Sequence, residues 1–120
     1  MEHSKEFLAI VVDAKERICE VSIDAAIERM EHGALLIDVR EDNEWAAGHA
    51  AGARHMSRGV IERDIVQSIP EKNAELILYC GGGYRSALAA DMLQRMGYTN
   101  VFSMAGGRKV WKDANAPTES

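Results

Sequence analysis

The chain has 120 residues, 47% of them apolar, and a formal net charge of -5. That length fits one domain able to bury a core of its own, and the acidic balance excludes nucleic acid as the main partner, because a phosphate-tracking surface carries a basic excess. Two cysteines, Cys19 and Cys80, are too few for a disulfide framework.

The first residues lead into an apolar stretch broken by Asp13 and Lys15. It is too short to span a membrane and no small-residue cleavage site follows it, so a cytoplasmic protein is expected. Phe7, Leu8, Val11, Ala14 and Ile18 share a stripe at helical spacing and predict a helix over 4–17. Ser22 reads as the N-cap of a helix over 23–31 that ends at Gly33. Leu35 to Val39 is a short buried strand carrying one unexpected acid, Asp38, and a short helix over 42–47 is stopped by Gly48.

Arg54-His55-Met56 is a weaker strand, and 59–68 is helical up to Pro70. Leu76 to Tyr79 is the clearest strand. The helix over 86–96 sets Leu88, Ala89, Met92, Leu93 and Met96 on one face, with Asp91, Gln94 and Arg95 opposite. A last strand covers 100–103, and Gly106-Gly107 opens a terminal helix through Trp111. Strands alternating with helices predict an α/β fold with a mainly parallel sheet, whose ligands sit beyond the carboxyl ends of its strands.

One segment stands at that place: Leu76-Ile-Leu-Tyr-Cys80-Gly-Gly-Gly-Tyr-Arg85-Ser86. It puts a cysteine at the end of a buried strand, then a glycine-rich loop, then a helix. Three consecutive glycines cost entropy unless the backbone needs positive φ or a close approach. Here they let the N–H groups of residues 81–86 turn inward as an anion nest, beside the positive end of the following helix. Both effects favour a thiolate, and Arg85 adds the loop's only cation. A cysteine ending a strand is also often a small buried hydrophobe; the whole strand–Cys–loop–Arg–Ser–helix arrangement favours the nucleophile.

Cys80-Gly81-Gly82-Gly83-Tyr84-Arg85-Ser86 resembles the active-site loop of the rhodanese family, in the form Cys-x-x-Gly-x-Arg-Ser. Asp38-Val39-Arg40 resembles that family's aspartate–x–arginine strand end. Glu44-Trp45-Ala46-Ala47-Gly48-His49-Ala50-Ala51-Gly52-Ala53 resembles its Glu-aromatic-x-x-Gly-His element, and Gly106-Gly107 with Trp111 its terminal element. The four segments occur in order over about residues 22–114.

The resemblance implies a rhodanese-like fold: a five-stranded, mainly parallel sheet flanked by helices, with an extra N-terminal helix. It divides the chain into an N-terminal helical extension, 1–21, and a rhodanese-like domain, 22–116. It implies a thiosulfate sulfurtransferase in which Cys80 takes a sulfane sulfur from a donor such as thiosulfate. The resulting persulfide passes that sulfur to cyanide or a thiol, a small molecule or a protein, by covalent catalysis in two half-reactions. Gly81, Gly82, Gly83, Tyr84, Arg85 and Ser86 form the substrate loop, and Asp38 and Arg40 brace it. No cofactor and no metal is called for. Glu44 is expected to brace, His49 to fix a turn, Trp111 to pack in the core, and Cys19 to be structural.

Two other readings carry different chemistry. Phosphatases and arsenate reductases place five residues between cysteine and arginine, whereas four separate Cys80 from Arg85, a loop suited to one sulfur and not to a tetrahedral oxyanion. A binding module that kept the fold and lost the chemistry is argued against by Cys80 itself.

Overall fold

The computed structural model describes residues 3–120. In chain order it comprises α1 (Lys5–Lys15), β1 (Cys19–Val21), α2 (Ile23–Glu31), β2 (Leu35–Asp38), α3 (Asp42–Ala47), β3 (His49–Ala50) and β4 (Arg54–His55). Then follow α4 (Ile61–Ser68), β5 (Leu76–Tyr79), α5 (Tyr84–Arg95), β6 (Val101–Met104), α6 (Gly107–Asp113) and β7 (Thr118–Glu119). Five strands form one sheet in the order β1-β6-β5-β2-β4, and every neighbouring pair is parallel. β3 and β7 make a separate antiparallel pair.

The expected elements are present, with shifted ends. α5 starts at Tyr84, not 86, because Gly83 turns the chain into it from the left-handed region, at φ 99°. Ser22 caps α2 as expected, its Oγ accepting the Ala25 N–H at 3.2 Å. Three strands were not anticipated: β1, β3 and β7. Of these, β1 changes the organisation. The helical part of the extension ends at Lys15, and Cys19–Val21 joins the main sheet beside β6, so the sheet runs across the division drawn between residues 21 and 22.

Strand alternation sorts the central residues onto two faces. Leu76, Leu78 and Cys80 turn toward α4 and α5, where they pack with Ile61, Ile65, Ala89 and Leu93. Ile77 and Tyr79 turn the other way, toward Leu36, Ala26 and Trp111. Both faces are dry, which is why β5 reads as an unbroken apolar run. Cys80 thus continues the α5 face of the central strand. From β2 the chain crosses to β4 on one side, and from β5 to β6 on the other. The crevice between the carboxyl ends of β2 and β5 is therefore a topological switch point, where open parallel sheets bind their ligands.

α1 packs on the outside of α5. Val11 and Ala14 lie against Leu88, with Phe7 and Tyr84 beside them. Arg17 then clamps Asp91 through two hydrogen bonds of 2.9 and 2.8 Å. No helix among the described residues is long and apolar enough to cross a membrane.

Candidate active site

Cys80 follows directly on β5, and only 1% of its surface is exposed. Its Sγ accepts the Gly83 N–H at 3.1 Å, and its thiol faces Ser86 Oγ at 3.5 Å. Ser86 in turn meets Ser103 Oγ of β6 at 2.8 Å, and both serines are fully buried. When the thiol loses its proton, this chain can reverse: Ser103 donates to Ser86, and Ser86 donates to the sulfur anion. Gly83 is the one loop N–H bonded to the sulfur itself, a narrower contact than the full ring expected over residues 81–86.

Among the three loop glycines, positive φ belongs to Gly83 alone. A Cβ there would also stand 3.3 Å from the Gly106 nitrogen. The stronger packing demand comes from outside the loop. At Gly107, φ is +54°, and a Cβ would lie 2.3 Å from the Cys80 carbonyl oxygen. That oxygen accepts the Arg108 N–H at 2.7 Å, and the Gly81 carbonyl accepts from Lys109 at 3.2 Å. The start of α6 therefore holds the Cys80 backbone from below, and the terminal Gly-Gly segment acquires a physical reason.

Arg85 does not extend freely over the sulfur. Its guanidinium is engaged by Glu44 of α3 in a fork of 2.7 and 3.0 Å. The hydrogen bond from Arg85 holds the Glu44 carboxyl down at a pKa of about 2, while Glu44 raises that of Arg85. Glu44 also accepts the Glu41 N–H, closing a capping box at the start of α3. The expected bracing acid is thus the direct partner of the loop arginine.

Asp38 and Arg40 form a buried ion pair at the end of β2. Asp38 accepts from Arg40 Nη2 at 2.8 Å, from the Arg40 N–H at 2.9 Å and from the Tyr79 hydroxyl at 2.6 Å. Arg40 also donates to the Gly48 carbonyl at 2.8 Å, and Tyr79 accepts the Ala50 N–H at 3.0 Å. Burial, first, and then Asp38 push the Tyr79 phenol well above its ordinary pKa, so it stays a donor. None of these buried side-chain atoms lacks a hydrogen-bond partner, so the buried charges are compensated. They tie the ends of β2 and β5 to the turn after α3. His49 fixes that turn: its ring stacks on Trp45 at 3.3 Å and its Nδ1 meets the Trp45 carbonyl at 3.0 Å. Trp111 packs in the core, donating to the Pro117 carbonyl at 2.7 Å.

A cavity of about 490 Å³ opens above the sulfur, lined at its base by Cys80, Gly82, Glu44 and Arg85. Three further lining residues were not expected at the site: Arg58 from the segment between β4 and α4, His3, and Phe7 of α1, which the sequence offered only as part of an apolar helical stripe. Arg58 brings a second cation, with no carboxylate within ion-pair distance among the described residues. Tyr84, expected in the substrate loop, is the first residue of α5; its ring meets those of His3 and Phe7 at 5.0 and 6.3 Å.

Cys19, expected to be structural, is exposed at the start of β1. It lies two strands from Cys80, at the level of Ile77. Strand spacing and rise put the two roughly 14 Å apart, beyond the ~7 Å reach of a disulfide.

The rhodanese-like domain family matches this chain over residues 22–114. The chain belongs to the rhodanese family. A thiosulfate sulfurtransferase, GlpE, of Haemophilus influenzae is 32% identical over 101 residues, covering 84% of this chain and 94% of that protein. The solved polysulfide-sulfur transferase homodimer of Wolinella succinogenes superposes with a TM-score of 0.79 at 25% identity, covering 95% of this chain and 87% of that one. A Rhodopseudomonas palustris protein of unknown function, described as a possible tyrosine phosphatase, superposes with a TM-score of 0.83 at 28% identity. That alignment covers 99% of this chain and 98% of the other, so α1 lies within the shared architecture. Rhodanese-type sulfur transfer is the activity that goes with the family, and the five-stranded parallel sheet is its fold.

Proposed function

We propose that this rhodanese carries sulfane sulfur as a persulfide on Cys80, with thiosulfate among its donors and a thiol or cyanide as acceptor. The observation that carries the reading is the Cys80 sulfur itself. It sits at the carboxyl end of the central strand, bonded by the Gly83 N–H at 3.1 Å, and faces a cavity bordered by Arg58 and Arg85.

In the first half-reaction the Cys80 thiolate attacks the outer sulfur of thiosulfate. A new S–S bond forms, the old one breaks, and its electron pair leaves on sulfite. In the second, an acceptor thiolate attacks the terminal sulfur, and the electron pair of the breaking bond returns to Cys80. Gly83 and Ser86 are placed to stabilise the sulfur anion at each stage, and Arg58 supports an anionic donor, relieving the shortage of loop cations. A reducing compartment such as the cytoplasm suits a carrier whose cysteines are both free.

Phosphoryl chemistry is the second reading, raised by the description of the Rhodopseudomonas relative. The four-residue spacing from Cys80 to Arg85 argues against it, as does the engagement of the arginine fork by Glu44. Incubation with thiosulfate followed by intact mass under non-reducing conditions tests the proposal. One added sulfur atom is expected on the wild type and none on Cys80→Ser, whose thiocyanate release falls to background with unchanged circular dichroism. Efficient aryl phosphate hydrolysis with no persulfide overturns it. Cys19→Ser is expected to keep most of the activity.

A further inference from the structure

The cavity is larger than thiosulfate requires, and one wall comes from outside the loop. Volumes of about 300–1,000 Å³ suit ligands with an organic body, and this one measures about 490 Å³. Ser4 caps α1 by accepting the Phe7 N–H at 3.0 Å, which places His3 and Phe7 together at the end of that helix. Their rings lie 5.2 Å apart, and both meet Tyr84 at the start of α5. The result is a three-ring aromatic wall on the same cavity as the Cys80 sulfur. It is held in place by Val11 and Ala14 against Leu88 and by the Arg17–Asp91 clamp. Arg58 lines the cavity as well, a cation for an anionic head group.

We infer that the N-terminal segment is a specificity element: among sulfane-sulfur donors, His3 ahead of α1 and Phe7 within it select those with an aromatic body beside the anionic head, as in an aryl thiosulfonate. This rests on the Cys80 reading above. With a thiosulfonate, R–SO2–S⁻, the Cys80 thiolate forms a bond to the sulfane sulfur. The bond to the sulfonyl sulfur breaks, and the electron pair leaves on the sulfinate R–SO2⁻. Charge balances without a proton or a second reactant. The ring of an aryl donor then packs against His3, Phe7 and Tyr84, where aromatic contacts add to simple burial.

Benzenethiosulfonate and methanethiosulfonate share charge and reacting group and differ in the body; the ratio of their rates with free cysteine supplies the intrinsic reference by which every enzyme ratio is divided. Their kcat/KM values are measured on wild type, His3→Ala, Phe7→Ala and Leu8→Ala, with thermal unfolding of each. Leu8 lies on α1 away from the cavity and controls for general loosening of the helix. The wild type is expected to favour the aryl donor about tenfold. His3→Ala and Phe7→Ala should bring the ratio toward one, through KM of the aryl donor, while Leu8→Ala keeps it. A wild type without preference, or a preference that survives both wall variants, overturns the inference and leaves sulfur carriage on Cys80 standing. Failure of both donors to leave a persulfide on wild-type Cys80 takes down the underlying reading as well.

Discussion

At Gly107 a methyl group would have to occupy the place of the Cys80 carbonyl oxygen, 2.3 Å away, in a left-handed backbone conformation. Neither problem has a cheap way out, because the blocking atom belongs to the Cys80 backbone. Gly107→Ala is therefore expected to destabilise the fold by roughly 2–4 kcal/mol and to lower sulfur transfer more than tenfold. Denaturant unfolding and thiocyanate release measured on the same sample check both. Ser103 acts at one remove, through Ser86. Ser103→Ala leaves Ser86 without its buried partner, a loss worth about 1–3 kcal/mol. Slower persulfide formation with an intact circular dichroism spectrum is the expected result.

Two elements meet through Glu44 and Arg85, and their contact has a pH signature. The Glu44 pKa is lowered to about 2 from an ordinary 4.5, so this ion pair favours the folded state in full above about pH 4.5. Its contribution falls away as the pH drops through 2, because protonation then removes the charge Arg85 binds. Comparing unfolding midpoints of wild type and Glu44→Gln across that window, the two are expected to converge toward pH 2 and separate above pH 5. A constant gap would show that Glu44 contributes by packing alone. The legibility of the elements follows from the same kind of contact. β5 and α5 are readable because their burial is continuous or periodic in the sequence. Cys80 to Ser86 is readable because the loop is one contiguous segment. β1, β3 and β7 span two or three residues each, too few for any alternation to register. Arg58, Ser103, His3 and Phe7 belong to other segments, and only the closed fold brings them to the sulfur or its serine relay. Asp38 announced itself as an acid inside an apolar strand; its bond from Tyr79 and the bond of Arg40 to the Gly48 carbonyl did not, since neither follows from spacing.

The molecule as a whole consists of a sheet covered by helices on both faces and an outer helix, α1, laid on α5, and the joint between these parts lies after Lys15. α1 touches α5 through Phe7, Val11 and Ala14, whereas beyond it Arg17 clamps Asp91, Cys19–Val21 is paired with β6 along its length and Val21 accepts the Ala105 N–H at 2.9 Å. We therefore propose that the extension separates as a helical layer at about residue 16, leaving β1 with the rhodanese domain. A chain beginning at Glu16 loses the cover over Leu88, a cost of about 1–3 kcal/mol, and should still unfold in one cooperative step. A chain beginning at Ser22 also strips β1 from the sheet and bares the β6 edge, with the unpaired N–H and C=O groups that recruit other strands. It is expected to unfold at a clearly lower denaturant concentration and to scatter light at concentrations where the longer chain stays monodisperse. Equal midpoints and equal scattering for the two would return the boundary to residues 21 and 22 and reduce β1 to a dispensable strand.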